Sequence, residues 1–461
     1  MPPDMSSIAI STLSQPVHVA RDQHPISRKD ISPNALRVLY RLREGGYASY
    51  LVGGAVRDLL TGGQPKDYDV ATDATPEQVK QLFRNCRLIG RRFRLAHVVY
   101  GREIIEVATF RANTDDGTGD RELEDGRLVR DNVYGTIEDD AVRRDFTANA
   151  LYYTVEDFSV RDFVGGFEDV QNRVLRLIGD PETRYREDPV RMLRAIRLAA
   201  KLGFSIAPSA AEPIPRLAAL LDGAASARLF DECLKMFLTG HAERSFLGLE
   251  AHGLLPALFP QATQALARAG EPTRAMVLAA LESTDRRVAE ERPVTPAFLL
   301  AALLWPAYTE EMQALLAQGL DPAVAQQRAA DRVILHQAQR VALPRRFSLA
   351  MEEIWLLQAR FGQRQRKRVF RLLAHPRFRA AYDFLELRAI QDPELQPEVE
   401  FWREAQIVPA EQLAEKLAPV RKGRKATAEP DAPPVGDGSA LAPVKKRRRR
   451  RRPRPAGSPE T

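Results

Sequence analysis

The sequence predicts an α+β protein in which a mixed sheet comes first, helices follow, and a basic tail ends the chain. Three observations carry this prediction. β-like runs are confined to residues 31–179, segments rich in Ala, Leu, Arg and Glu run from there to about Leu417, and residues 418–461 are dominated by Pro, Gly, Ser and Arg. With 461 residues, 44% of them hydrophobic, the chain is too long for one ordinary core and has the apolar content to bury about two to four.

Residues 1–30 mix Ser, Pro, His and Gln without apolar periodicity and read as a flexible leader. Asn34–Glu44 repeats apolar residues at helical spacing. Tyr50–Val52 is a short apolar run closed by Gly53 and Gly54, with a helix expected over Ala55–Leu60. Further strands are expected at Tyr68–Ala71, Ala96–Tyr100, Glu103–Thr109, Ala150–Val155 and Val174–Ile178. Beyond Gly179 the strand signals almost vanish, and Gly203, Pro256 and Pro306 punctuate a helical region. Residues 418–461 cannot form a packed core and read as disordered, ending in the basic block Lys445–Arg452.

The formal net charge of +7 hides an asymmetry, because residues 421–461 alone hold thirteen Lys/Arg against four Asp/Glu. A polyanion site in the folded part must therefore be a local patch, with the tail a separate basic device. The longest strongly apolar run, Ala297–Trp305, is far short of the ~20 residues of a spanning helix, and no basic-then-apolar signal opens the chain, so it reads as cytoplasmic with no integral membrane segment. Cys86 and Cys233 stand far apart and away from histidine, which argues for core packing rather than a disulfide framework or zinc site.

The informative stretch is LVGGAVRDLLTGGQPKDYDVATDATPEQ, Leu51–Gln78. Alternate residues of a strand share a face, so Asp67 and Asp69 would point together. Two carboxylates so placed repel unless a cation lies between them, and magnesium favours a few carboxylates supplemented by substrate phosphates. Taken alone, a D-x-D is more often a pair of solvated turn residues. Here Gly53 and Gly54 offer backbone N–H groups to a phosphate, with Arg57 one turn into the helix. A third acid would be Glu106, in a strand, or Asp145, after Arg143 and Arg144. The plainer readings are an edge-strand charge for Glu106 and the N-cap of a helix starting at Phe146 for Asp145.

The ordered set LVGGAVRD, KDYDVAT, EVATFR, RRDFTANAL and REDPVRMLRAIRLAAKLGF resembles the bacterial class of the DNA polymerase β-like nucleotidyltransferases, the family of poly(A) polymerases and CCA-adding tRNA nucleotidyltransferases. Within it, LIGRRFRLAHV, Leu88–Val98, and the arginine-rich tail resemble the poly(A) polymerase branch. The resemblance implies a nucleotidyltransferase head over residues 31–179, a helical neck over 180–270 that binds nucleotide and RNA, and an RNA-binding helical body over 271–417. It implies template-independent addition of AMP from ATP to RNA 3′-hydroxyl ends with release of pyrophosphate, promoting RNA turnover. Asp67 and Asp69 would hold magnesium, in a two-ion site, and Asp145 would be the third catalytic carboxylate, with Glu106 in reserve. Gly53, Gly54 and Arg57 would face the triphosphate and Arg144 the nucleotide. RNA ends and the RNA-degradation machinery are the implied partners, and DNA is not.

The segment Glu187–Phe204 has an apolar stripe, Val190, Leu193, Ile196 and Ala200, with Arg191, Arg194 and Arg197 recurring on another side. Unaided, this reads as a solvated or salt-bridged ridge, Glu187 with Arg191 for instance. In the family the pattern matches a helix whose Asp188 and Arg191 recognise the base edge, with Arg194 and Arg197 further substrate contacts. Downstream, Arg364–Phe384 interleaves arginine with aromatics and would either track RNA backbone or form an exposed helix face. The tail would tether RNA nonspecifically, or meet an acidic partner protein. His97 is expected to be structural. The competing functions are a CCA-adding enzyme, a noncatalytic RNA-binding protein on a degenerate transferase fold, and a small-molecule nucleotidyltransferase.

Overall fold

The computed structural model describes residues 15–90, 94–112, 121–124, 127–131 and 133–417. Its strands are β1 (Val17–Val19), β2 (Ser49–Val52), β3 (Asp69–Thr72), β4 (Cys86–Ile89), β5 (Leu95–Tyr100), β6 (Glu103–Thr109), β7 (Arg121–Glu124), β8 (Arg127–Asp131), β9 (Leu151–Thr154), β10 (Val160–Asp162), β11 (Val174–Leu175) and β12 (Ser205–Ile206). Eight of them form one sheet in the order β1-β10-β9-β2-β3-β6-β5-β4, while β7 pairs with β8 and β11 with β12. Only β3 and β6 run parallel in the large sheet, which makes it mixed.

Strand alternation gives the sheet two apolar faces. Leu51, Val70, Val107, Leu151 and Tyr153 face the main core, on which α1 (Pro33–Glu44), α2 (Gly54–Leu60) and α3 (Pro76–Leu82) pack. Val52, Ala71, Phe110, Ala150 and Tyr152 face a smaller cluster closed by Ala141 of α4 (Ile137–Arg143) and by Ile178. After α5 (Gly166–Gln171) the strand expected at Val174–Ile178 forms only over Val174–Leu175 and pairs with Ser205–Ile206 outside the large sheet, and α6 (Pro181–Glu187) and α7 (Val190–Leu202) lead into the helical region beyond. The stripe foreseen in α7 is real: Val190, Leu193 and Ile196 lie in the main core, which continues into the helices as far as Phe384 and Leu387. A separate core formed around Phe361, Val369, Tyr382 and Trp402 organises the last helices.

Two expectations about the ends need comment. Residues 15–30 are not a leader: β1 adds to the sheet edge beside β10, and Val19 and Ile26 are buried. Three residues are too few to show periodicity, and an edge strand gains most of its stability from backbone pairing that the sequence does not display. Residues 418–461, with the block Lys445–Arg452, and residues 1–14 lie outside the described part, as do Arg91–Phe93 within Leu88–Val98. The run Ala297–Trp305 lies in the helix Pro296–Ala317 and is buried, and among the described residues no helix is long and apolar enough to cross a membrane. Cys86 and Cys233 are both buried free thiols.

Candidate active site

The site grows from the middle of the sheet. Val52 of β2 pairs with Asp69 of β3, and Asp69 pairs in turn with Glu106 of β6. Glu106 pairs with His97 of β5. Neighbouring residues in register share a face, so Asp69, Glu106 and His97 form a polar row across three strands on the side of the smaller cluster. The chain leaves β2 into Gly53, whose φ of +75° is open to glycine and strained for other residues. A side-chain carbon at Gly53 would lie 3.6 Å from Nη1 of Arg144 and 3.8 Å from Oδ2 of Asp69, so the glycine turn, the arginine and the aspartate face one space.

Asp67 sits in the bend before β3, not on the strand, and reaches the site as a charge acting on Asp69. Asp69 has its pKa raised to about 6, first by loss of solvent and then by Glu106, with Arg144 partly offsetting and Asp67 adding repulsion. The residue as a whole remains exposed. Among the described residues no ion pair links Asp67 or Asp69 to a basic side chain, whereas Glu106 has His97 Nε2 at 3.3 Å.

Arg144 is held from behind. Its Nε and Nη2 donate to Asp140 Oδ2 at 3.2 and 2.9 Å, Nε also donates to Tyr152 Oη at 2.9 Å, and the guanidinium lies over the Tyr152 ring. Burial opposes its charge, but Tyr152 and Asp140 outweigh that and shift its pKa upward. Asp140 and Tyr152 escaped the sequence reading. The first was findable from its place four residues before Arg144; the second carried no local signal.

Several residues expected at the substrate are committed elsewhere. Arg57 is buried and turned under the glycine turn, where Nε donates to Asp58 Oδ1 at 2.9 Å and Nη1 to Asn149 Oδ1. Asp145 is not aimed at the acid pair: Oδ1 accepts from Phe146 N at 2.8 Å and Asn149 Nδ2 at 3.3 Å, and Oδ2 accepts from Arg194 Nε at 2.9 Å and Nη2 at 2.5 Å. Burial by itself would raise its pKa, but Arg194, Asn149 and the Phe146 N–H prevail and lower it. The N-cap reading does not hold: the short 3₁₀ turn Thr147–Asn149 has Phe146 as its N-cap and no side-chain cap, because the Asp145 carboxylate is taken by Arg194, Asn149 and the Phe146 N–H.

The arginines of α7 each have an acid. Arg191 Nη1 donates to Glu187 Oε2 at 2.8 Å and to the Arg184 carbonyl at 2.7 Å, Arg194 pairs with Asp145, and Arg197 Nε with buried Glu232 at 2.9 Å. The salt-bridged ridge is thus what the structure contains. Asp188 pairs with Arg228 at 2.9 Å rather than with Arg191. Arg184, also missed in the sequence, donates to the carbonyls of Arg143 and Arg144 at 3.0 and 2.6 Å and so ties α6 to the arginine pair.

A profile of the Poly A polymerase head domain matches residues 49–176, which hold the polar row, the glycine turn and Arg144. The chain is 50% identical over 422 residues to a poly(A) polymerase I of Escherichia coli O6:H1, spanning 88% of this chain and 91% of that one. The chain belongs to the poly(A) polymerase family. Two further profiles of the family match, "Probable RNA and SrmB- binding site of polymerase A" over 203–266 and "Polymerase A arginine-rich C-terminus" over 318–454. A CCA-adding enzyme of Bacillus subtilis is 38% identical over 213 residues, 46% of this chain and 52% of that enzyme. The solved CCA-adding enzyme of Bacillus stearothermophilus in complex with CTP superposes with a TM-score of 0.54 at 26% identity, covering 81% of this chain and 82% of that one.

Proposed function

We propose that this poly(A) polymerase family member is a template-independent polynucleotide adenylyltransferase, joining AMP from ATP to an RNA 3′-hydroxyl and releasing pyrophosphate. The observation that carries the chemistry is the frustrated acid row: Asp69, desolvated and repelled by Glu106 and Asp67 and only partly offset by Arg144, faces the Gly53 turn, and among the described residues it makes no ion pair.

A divalent cation suits this donor set. Hard carboxylate oxygens that raise one another's pKa are relieved by positive charge. Magnesium characteristically takes one or two protein carboxylates and completes its shell from water and substrate phosphates. Asp67 and Asp69 would hold it, and we assign the third carboxylate to Glu106 in place of Asp145. When bound, the metal lowers the pKa of the attacking hydroxyl and neutralises charge on the α-phosphate.

The chain's own groups do the rest. The Gly53–Gly54 backbone lets phosphate oxygens approach, and Arg144, locked by Asp140 and Tyr152, meets the developing negative charge without reorganising. Arg57 keeps the turn in shape from below. Asp188 and Arg191 present the base-reading edge: Arg191 uses Nη1 for its bonds to Arg184 and Glu187, and among the described residues Nε and Nη2 are left for a base. Arg194 and Arg197 position α7 against the head and the helix Ser226–Phe237. The neck and body then carry RNA, and the activity serves RNA turnover in the cytoplasm.

A CCA-adding activity is the second reading, favoured by the CTP complex among the structural neighbours. The Bacillus subtilis CCA-adding relative, however, matches under half of this chain. Extension of a labelled single-stranded RNA with each nucleoside triphosphate separately decides between them. Long ladders with ATP alone are expected; a few additions requiring CTP and a tRNA end would overturn the assignment.

A further inference from the structure

A cavity of about 420 Å³ in the head is lined by Arg21, Ser27, Arg28, Lys29, Tyr153 and Phe158. Tyr153 of β9 belongs to the main-core face of the sheet. Its neighbour Tyr152 turns to the other face and holds Arg144, so the cavity and the active site lie on opposite sides of one strand. Three cations meet at the cavity. Arg21 Nη1 donates to the His24 carbonyl at 3.2 Å, Arg28 Nη1 donates to Tyr40 Oη at 3.2 Å, and the Arg28 guanidinium lies 4.9 Å from the centre of the Phe158 ring. Among the described residues none of Arg21, Arg28 and Lys29 has an acid partner, and Asp157, beside Phe158, is taken by Arg161 and His18 at 2.9 and 3.2 Å. The sequence ahead of Gln15 brings one acid, Asp4, against these three charges.

The deciding group is Tyr153. The residue is 0% exposed, and its hydroxyl finds no hydrogen-bond partner among the described residues. A buried hydroxyl left unpaired is destabilising, and folded proteins seldom keep one without a use for it. Burial raises its pKa, while the charges of Arg21 and Arg28 act on the hydroxyl in the opposite sense, so hydroxyl and cations share one space. The wall beside them is held against backbone preference. Phe158 has φ +59°, in the left-handed region that bulky residues avoid, and His24 Nε2 donates to its carbonyl at 2.9 Å.

A fixed O–H donor ringed by three cations suits an acceptor that is compact, rich in oxygen and multiply charged. A lone carboxylate would leave two of the charges unmatched. A nucleic acid strand spaces its charge at one per nucleotide along a line instead of gathering it in one cavity. We propose that this cavity is a second anion site, binding a polyphosphate group of the kind shared by pyrophosphate and nucleoside triphosphates. The inference goes beyond the adenylyltransferase reading and stands without it, since it uses none of the active-site residues.

The test titrates pyrophosphate and ATP separately, with a chelator in place of divalent metal, into the full chain and its Tyr153→Phe and Lys29→Gln variants, read by calorimetry. Neither substitution removes a side-chain hydrogen bond found among the described residues, so both variants should unfold at the parent's temperature or above it. The active site is the same in all three proteins, so the differences between them read the cavity. Tyr153→Phe should weaken binding by about tenfold, the scale of one hydrogen bond to a charged group, and Lys29→Gln by about threefold. If the affected site prefers ATP the source is a nucleotide, and if it prefers pyrophosphate the free anion; either result supports the proposal. An unchanged affinity in Tyr153→Phe, sulfate bound as tightly at equal ionic strength, or a lower unfolding temperature for Tyr153→Phe without anion would each overturn it. So would weakened binding of an oligonucleotide with pyrophosphate binding intact, which would give the cations to a nucleic acid strand. Failure of the parent to extend an RNA primer would strike the adenylyltransferase reading alone, since these titrations do not depend on catalysis.

Discussion

Asp69 and Asp145 both stand in acidic motifs of the head, and the fold treats them in opposite ways. Asp69 is crowded by Glu106 and Asp67 and ionises only with difficulty, at about pH 6. Asp145 is embraced by a guanidinium, an amide and a backbone N–H, which lower its pKa despite burial. An acid whose neighbours leave its charge uncompensated is prepared for a ligand; an acid whose neighbours compensate it is already employed in the fold. Asp145 is thus held by Arg194, Asn149 and the Phe146 N–H, as a residue that joins α7 to the head.

The sharpest way to break this contrast is at Asp69. Asp69→Asn is expected to lower the extension rate by on the order of 10³-fold, the scale of losing a principal electrostatic element. Its stability effect has the opposite sign. Because the folded pKa is raised, ionisation costs stability that grows from about pH 4 to pH 6, so the variant should be more stable above pH 6, by at most about 1 kcal/mol after solvent screening, and equal to the parent below pH 4. Thermal unfolding at pH 4 and pH 7.5 reads both ends.

Asp145→Asn should do the reverse, removing about 3 kcal/mol of stability by stranding Arg194, while the molecules that stay folded keep most of their turnover. Its folded pKa is lowered, so the parent's advantage is present above the unfolded value near ~3.9 and is lost as pH falls through the folded one. A folded Asp145→Asn protein without activity would return Asp145 to the catalytic set. Glu106→Gln should cost about 10²-fold in rate with little change in unfolding temperature; a neutral result would remove it from the site. Gly53→Ala should cost about 1–2 kcal/mol of strain at φ +75° and raise KM for ATP by about tenfold, measured by steady-state extension. His97→Ala should change the rate by less than about threefold, since its ion pair is with Glu106, half-exposed, rather than with Asp69.

Local features were legible in the sequence. The run Glu103–Thr109 is β6, and Asn34–Glu44 lies one residue inside α1. Alternation placed Asp69 and Glu106 in strands, and the family resemblance supplied the meaning of the glycine turn. What the sequence hid was partnership across distance. Arg57 finds Asn149 across 92 positions and Arg194 finds Asp145 across 49, and no periodicity encodes which acid an arginine will meet. For the same reason the α7 arginines looked like a surface for substrate, although each has an acid partner.

Beneath the glycine turn the polar contacts run without interruption from Asp58 through Arg57, Asn149 and Asp145 to Arg194. The loop that would receive the triphosphate and the helix that would carry the base-reading pair are therefore parts of one gauge, set to a single opening. An enzyme that copies no template has no other standard of length to consult, and slack anywhere along those five side chains would be felt as tolerance for the wrong nucleotide.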